Sequence, residues 1–261
     1  MGAPRYDCIL MLSGGKDSTY LAYMLEQQKK RPLAITVDVG FMSDHAKENI
    51  ERLKDKLHLD HLWVKSQPAA HAKVIDQFRS DQSMGLSDVC GSCTLLTMRT
   101  VLAIANDLSV KHLFCGFTKH SAFTSTKQSQ VKLPGGFVYE NPFIQDYNLP
   151  RIEEFLSMLG FVTDPTMTNC DHIREIIIRH TRRFGANPYE SEFKSLLDSG
   201  QIDEKEVERL RSWCSPAFPQ EFPEETTTME RKTRIRNQTN LPTGFREDQL
   251  KMGSGDLWMR T

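Results

Sequence analysis

The chain has 261 residues, enough to bury a full core in one large domain or in one domain with an appendage. Its 33 Lys and Arg against 34 Asp and Glu give a formal charge of −1, which excludes a global basic signature for nucleic acid and leaves only a local patch for such contacts. No uninterrupted apolar run approaches the roughly 18–20 residues of a membrane span, and six cysteines in a chain this long do not make a disulfide scaffold, so a cytoplasmic protein with no membrane partner is expected.

In chain order, Ile9–Leu12 reads as a strand, and the N-terminus that leads into it is unlike a signal peptide. Asp17–Gln28 follows as a helix and Leu33–Asp38 as a second strand. Ser43 is placed to cap a helix running to Leu57, with Ala46, Ile50, Leu53 and Leu57 on one face. His61–Lys65 is a third strand and Ala69–Arg79 a third helix. A loop around Ser83–Val89 precedes a helix after Cys93 that ends at Asp107, and His112–Gly116 closes as a fourth strand. Strands separated by helices imply an α/β fold: a doubly wound parallel sheet with flanking helices. Beyond Phe117 the pattern loosens. Lys132–Phe137 looks like a turn and Phe137–Phe143 a short extended piece, before helices at Leu149–Leu159, Asp171–Phe184, Pro188–Ser199 and Asp203–Trp213. Residues 1–148 are therefore expected to form a nucleotide-binding α/β domain, and 149–214 a helical substrate-side region. Residues 215–261, rich in Pro, Glu, Thr and charge, are expected to form an irregular, partly mobile tail.

Ligands in such sheets bind beyond the carboxyl ends of the strands. The first of those ends carries Leu12-Ser-Gly-Gly-Lys-Asp-Ser-Thr19 between strand and helix. Gly14 and Gly15 let backbone N–H groups approach an anion, Ser13 and Ser18 add hydroxyls, and the helix start adds positive potential. Lys16 is placed to neutralise phosphates, and Asp17 either to hold Mg²⁺ or simply to favour the helix dipole. The spacing is not that of a Walker A loop.

The Ser-Gly-Gly-x-Asp-Ser spacing resembles the PP-loop of the ATP pyrophosphatase superfamily, whose members split ATP into AMP and pyrophosphate to activate a substrate. The resemblance covers residues 5–185 and implies a HUP-type fold with ATP and Mg²⁺ at the loop. It also implies adenine and ribose contacts at Val37, Asp38 and Phe41, while Gly116 ends the fourth strand where a side chain would obstruct a nucleotide.

Cys90-Gly-Ser-Cys93 and the distant Cys170 can ligate one metal or cluster, carry persulfide as a redox pair, hold zinc with His172, or be unrelated buried thiols. Their layout resembles the tRNA 2-thiocytidine- and 2-thiouridine-type sulfurtransferases, which implies a [4Fe–4S] cluster on Cys90, Cys93 and Cys170. Cys8 and Cys115 fall within strands and read as core. Separately, Val37-Asp-Val-Gly-Phe-Met-Ser43 is similar to the PP-loop domain of N-acetyl sugar amidotransferases, which use ammonia in place of sulfur.

On the substrate side, Lys119 and His120 follow the fourth strand. There Lys119 could stabilise an adenylated intermediate and His120 shuttle a proton, or both could be ordinary loop residues. Arg174, Arg179, His180, Arg182 and Arg183 lie on or near one helix and, with Arg231–Arg236, could bind phosphates or form a solvated face. The expectation is an ATP-dependent sulfurtransferase acting on a tRNA base or a small-molecule heterocycle, with a sulfur donor as partner. An ammonia-dependent amidotransferase and a non-catalytic ATP-binding module are the alternatives, and a homodimer is allowed.

Overall fold

Cys8–Met11 (β1) is buried on both faces, as befits a strand at the centre of a sheet. In the computed structural model, which describes residues 5–65, 68–121, 128–161 and 170–214, β1 has β2 (Pro32–Asp38) on one side and β4 (His112–Phe114) on the other. Both pairings are parallel, with Ile9 opposite Leu33 and Leu113. β3 (His61–Lys65) extends the sheet beyond β2, and β6 (Phe137–Glu140) pairs parallel with β4. β5 (Gln130–Leu133) closes the far edge antiparallel to β6. The order β3-β2-β1-β4-β6-β5 makes a mixed, mainly parallel sheet with flanking helices. Its winding reverses between β1 and β4, the place where such sheets open a crevice.

Period-two alternation sorts β1 between two layers. Cys8, Leu10 and Leu12 join Leu21 and Leu25 of α1 (Lys16–Gln27), Ile50 and Leu53 of α2 (Asp44–Leu57), and Ile152 and Phe155 of α5 (Leu149–Met158). Ile9 faces the other way, with Ile35, Leu113 and Tyr139 against Val101 and Ala105 of α4 (Leu86–Asp107). A third cluster joins α3 (Pro68–Ser80), the start of α4, α6 (Ile173–Phe184), α7 (Glu190–Asp198) and α8 (Glu204–Cys214) around Phe78, Leu86, Ile176, Ile177, Phe193 and Val207. Phe78 and Phe143 are fully buried, each contributing on the order of 1.5–3 kcal/mol of burial.

Ser43 caps α2 by accepting the Ala46 N–H, and β3 spans the residues expected of it. Two expectations are corrected. Residues 130–140 form a paired hairpin, with Pro134–Gly136 as its turn, rather than a turn and a lone extended piece. The fourth helix starts at Leu86, seven residues before Cys93, because the Asp88 carboxylate accepts the Gly85 N–H at 2.7 Å and closes its first turn. Cys90 and Cys93 thus lie inside α4. By length and composition α4 is also apolar enough to cross a membrane, although Asp88 and Arg99 interrupt it; Leu86, Val89, Val101 and Ala105 pack into two core clusters. The described residues all belong to one compact unit. Residues 215–261, expected to form the tail, lie outside them.

Candidate functional site

The loop from Ser13 to Ser18 leaves β1 at the switch point and enters α1 with Gly15 as its N-cap. Its hydroxyls turn inward. Ser13 N–H donates to Ser18 Oγ at 3.2 Å, the two Oγ atoms are 3.1 Å apart, and Ser18 Oγ donates to the Gly15 carbonyl at 3.2 Å. Those bonds fix the loop's shape, and the first-turn N–H groups of α1, which have no intrahelical acceptor, make its anion-attracting end. Gly14 has φ +75°, and a Cβ there would sit 2.3 Å from the Ala46 carbonyl oxygen of α2. Asn49 of α2 donates to the Gly14 carbonyl at 3.1 Å, and Thr36 of β2 to the Leu12 carbonyl at 2.7 Å, so both neighbours hold the turn. Gly116 closes the crevice from β4; a Cβ there would meet the Ser18 nitrogen at 2.9 Å.

Lys16 and Asp17 form one charged unit with a residue that the sequence did not single out. Lys16 Nζ donates to both Asp17 oxygens and to the Tyr147 hydroxyl, each at 2.8 Å. The Tyr147 hydroxyl in turn lies 3.3 Å from Asp17 Oδ1. Burial disfavours the ammonium, but the Asp17 and Tyr147 oxygens outweigh it and hold the Lys16 pKa above its ordinary value. Burial pushes the Tyr147 phenol up, so it stays neutral. Tyr147 immediately precedes Asn148, whose side chain caps α5, and its ring packs against Phe143 and His120. Nothing in the local pattern marks it; only the tertiary fold brings it to residues 16 and 17.

At the exit of β2, Val37, Asp38 and Phe41 each have contacts within the chain. Val37 is buried in the layer beneath α4, and the Asp38 carboxylate accepts the Gly40 N–H at 2.8 Å in a local turn. Phe41 packs edge-on against His172, with ring centroids 4.5 Å apart. Met42 pairs with Cys170 in an antiparallel bridge, and Asp171 N–H donates to the Phe41 carbonyl at 2.9 Å. That stitch carries Cys170 to Cys90 and Cys93. Burial, and then the negative charge each would feel from Cys170, push the Cys90 thiol up to about 12 and Cys93 to about 11; burial also raises Cys170. Among the described residues no three His, Cys, Asp or Glu side chains stand arranged to hold a single metal ion. Cys8 and Cys115 are buried in strand positions of the core.

Lys119 and His120 sit beside α7 rather than over the loop. His120 is 5 % exposed; its Nδ1 is 2.8 Å from Ser195 Oγ and its ring centroid 5.4 Å from that of Tyr147. The Lys119 N–H donates to the Phe143 carbonyl at 3.3 Å.

The basic face expected on residues 172–183 is largely internal. Arg183 donates to the Phe78 and Met84 carbonyls at 2.7 and 2.9 Å and stacks on the Phe78 ring. His180 accepts the Leu86 N–H at 3.0 Å, at the start of α4. Arg179 and Arg79 share Glu175, whose carboxyl they and His172 hold well below the usual range despite its burial. These groups position helices, and Arg182 alone of the set is exposed. Arg231–Arg236 lie outside the described residues.

No protein-family model matches the chain. It is 24 % identical over 229 residues to an uncharacterized protein of Methanocaldococcus jannaschii, across 85 % of this chain and 77 % of that one. Among solved structures it is similar to an NMN synthetase from Francisella tularensis, with TM-score 0.49 and 16 % identity over 92 % of this chain and 90 % of that one. It is also similar to the U34-tRNA thiolase NcsA from Methanococcus maripaludis, a structure with a [4Fe-4S] cluster (TM-score 0.49, 14 % identity, 81 % and 72 % of the two chains). An NH3-dependent NAD synthetase from Campylobacter jejuni has TM-score 0.42 and 15 % identity over 87 % of this chain and 91 % of that one. At these values the likeness is one of overall architecture.

Proposed function

We propose that the protein belongs to the PP-loop ATP pyrophosphatases and adenylates a carbonyl oxygen of an acceptor, releasing pyrophosphate, before a sulfur nucleophile displaces AMP. The observation that carries this reading is the Ser13–Ser18 loop, held by Gly14 against Ala46 and faced by Gly116 at the switch point of the sheet. In the first step the acceptor oxygen attacks the α-phosphorus and the bond to pyrophosphate breaks. In the second, hydrosulfide adds to the activated carbon, the C–O bond to AMP breaks, and loss of the sulfur-borne proton leaves C=S. The chain's contribution is orientation and charge: α1 N–H groups on phosphate oxygens, Lys16 on the leaving pyrophosphate, and Gly116 leaving room beside them.

Mg²⁺ fits the Asp17 carboxylate by donor chemistry and would neutralise phosphate charge there. Cys90, Cys93 and Cys170 suit a soft centre by donor type, but among the described residues they are not arranged around a single metal position, so a cluster would need them to move together. An iron–sulfur cluster on them would supply a site for sulfur, and such a cation would offset the burial that keeps these thiols protonated.

One observation favours the ammonia-dependent amidotransferase as a second reading: among the described residues the three thiols are not arranged to hold a metal centre, and ammonia chemistry requires none of them. The test is an assay of AMP and pyrophosphate from ATP, with sulfide or ammonia as donor. Replacement of Cys90, Cys93 and Cys170 together by alanine abolishes sulfide-dependent turnover while leaving pyrophosphate release. Release of ADP instead of AMP by the wild-type protein defeats both readings.

A further inference from the structure

Between the segment after β4 and the outer face of α7 the surface opens into a cleft of about 530 Å³, within the range of small-molecule sites. One wall is Lys119 and His120; the other is α7, whose Ser191, Lys194, Ser195 and Asp198 recur at the spacing of a single helix face, with Ser199 just beyond. The opposite face of α7 carries Phe193 and Leu196 into the core, so the helix is fixed where it stands.

Three observations separate this cleft from an ordinary solvated helix face. His120 is nine-tenths buried and its Nδ1 lies 2.8 Å from Ser195 Oγ, so the two walls are joined. Lys194 and Asp198, four residues apart on α7, make no ion pair among the described residues, although their spacing permits one. The cleft is also coupled to the Ser13–Ser18 loop through packed side chains, since the His120 ring packs against Tyr147 and the Tyr147 hydroxyl accepts from Lys16 at 2.8 Å.

The lining also selects its ligand. It offers two ammonium groups, three serine hydroxyls, an imidazole and one carboxylate. Among the described residues its lining has no Phe, Tyr or Trp face, which recognition of an unstacked base relies on. We infer that the cleft is an anion subsite that takes a small hydrophilic molecule bearing a carboxylate or phosphate. Lys194 binds the anionic group, the serines bond to its oxygens, and Asp198 accepts a hydroxyl or amino group at the other end. The anion site stands on the cleft itself and not on the adenylation reading above.

The test uses the full chain loaded with AMPCPP and Mg²⁺, so that the phosphate loop is occupied, and ligand-observed NMR with glucose 6-phosphate, citrate and glucose. Glucose 6-phosphate or citrate binds and glucose does not, the better of the two anions identifying phosphate or carboxylate as the recognised group. Lys194→Ala weakens that binding about tenfold at an unchanged melting temperature, and Lys194→Arg restores most of it. Equal binding of glucose, anion binding indifferent to Lys194→Ala, or displacement of the anions by AMPCPP overturns the subsite. Binding of labelled tRNA that needs Lys194, with no binding of either anion, overturns it in favour of an RNA backbone. Failure of the wild-type chain to bind AMPCPP overturns the adenylation reading, whereas failure of the anions in the loaded protein overturns the subsite alone.

Discussion

The Ser13–Ser18 loop and the cysteine trio are assembled in opposite ways. The loop is contiguous, from Ser13 to Ser18, and its shape is set by hydrogen bonds among its own residues. The trio is gathered from the middle of α4 and from a segment pinned to β2 by the Met42–Cys170 bridge. The loop presents backbone N–H groups that attract an anion without any change of state. The thiols are half-buried and their pKa values are raised, so they stay protonated at neutral pH.

Breaking the loop should have the largest effect. Gly14→Ala places a methyl 2.3 Å from a backbone carbonyl at a φ of +75°, and backbone cannot yield as a side-chain tip can. We expect loss of AMPCPP binding, and a lowered melting temperature from strain on the order of 1–3 kcal/mol. Unchanged AMPCPP affinity in this variant would mean that the nucleotide binds elsewhere.

The thiols sharpen the contrast through their titration. A pKa moved from 9.0 to about 11 at Cys93 leaves its thiolate about a hundredfold scarcer at pH 8 than that of a free cysteine. Alkylation by iodoacetamide, followed residue by residue by mass spectrometry, should be slower by at least that factor. The stability linkage has the same origin. Because the folded pKa values lie above the unfolded one, the folded state binds more protons between about pH 9 and 12, so stability is full below pH 9 and falls as pH rises through the folded values. Fast alkylation at pH 8 would show instead that the trio is already held as thiolates.

How much of each region could be read in the sequence follows from the same difference. The loop, the Ser43 cap and β3 depend on neighbours in the chain, and the structure places them where the residue pattern does. The basic face of α6 misled because charge says nothing of direction: Arg183 and His180 turn inward to carbonyl and N–H groups of residues about a hundred positions away. The 130–140 hairpin was obscured by the brevity of its strands, whose partner β4 is itself only three residues long. Tyr147 left no local signal at all, since its role exists only once α5 has packed on α1.

Tyr147 gives the third prediction. Tyr147→Phe keeps the ring against Phe143 and His120 and removes only the hydroxyl that holds Lys16. A hydrogen bond to a charged group is worth about 1.5–3 kcal/mol, and part of that is recovered when Lys16 turns to phosphate, so AMPCPP affinity should fall about fivefold to tenfold by calorimetry. The pH profile should not move below pH 10, because the phenol is neutral throughout. A shifted profile would mean that Tyr147 exchanges protons rather than positioning Lys16.

The smallest effect distinguishes the scaffold of the trio from its chemistry. Gly91 stands between Cys90 and Ser92 within α4, at ordinary helical φ, with no atom within 4 Å of the position a Cβ would take. Glycine in a helix interior costs about 0.8–1 kcal/mol relative to alanine, so Gly91→Ala should raise stability by roughly that amount. The cysteines keep their places on the helix, so their alkylation rates should hold. If the melting temperature rises while sulfide-dependent turnover falls, the trio needs a helix that can open at Gly91 to bring its thiols onto a common centre. If both rise or hold, α4 is a rigid platform, and whatever brings the three sulfurs together moves Cys170 on its short bridge to Met42 instead.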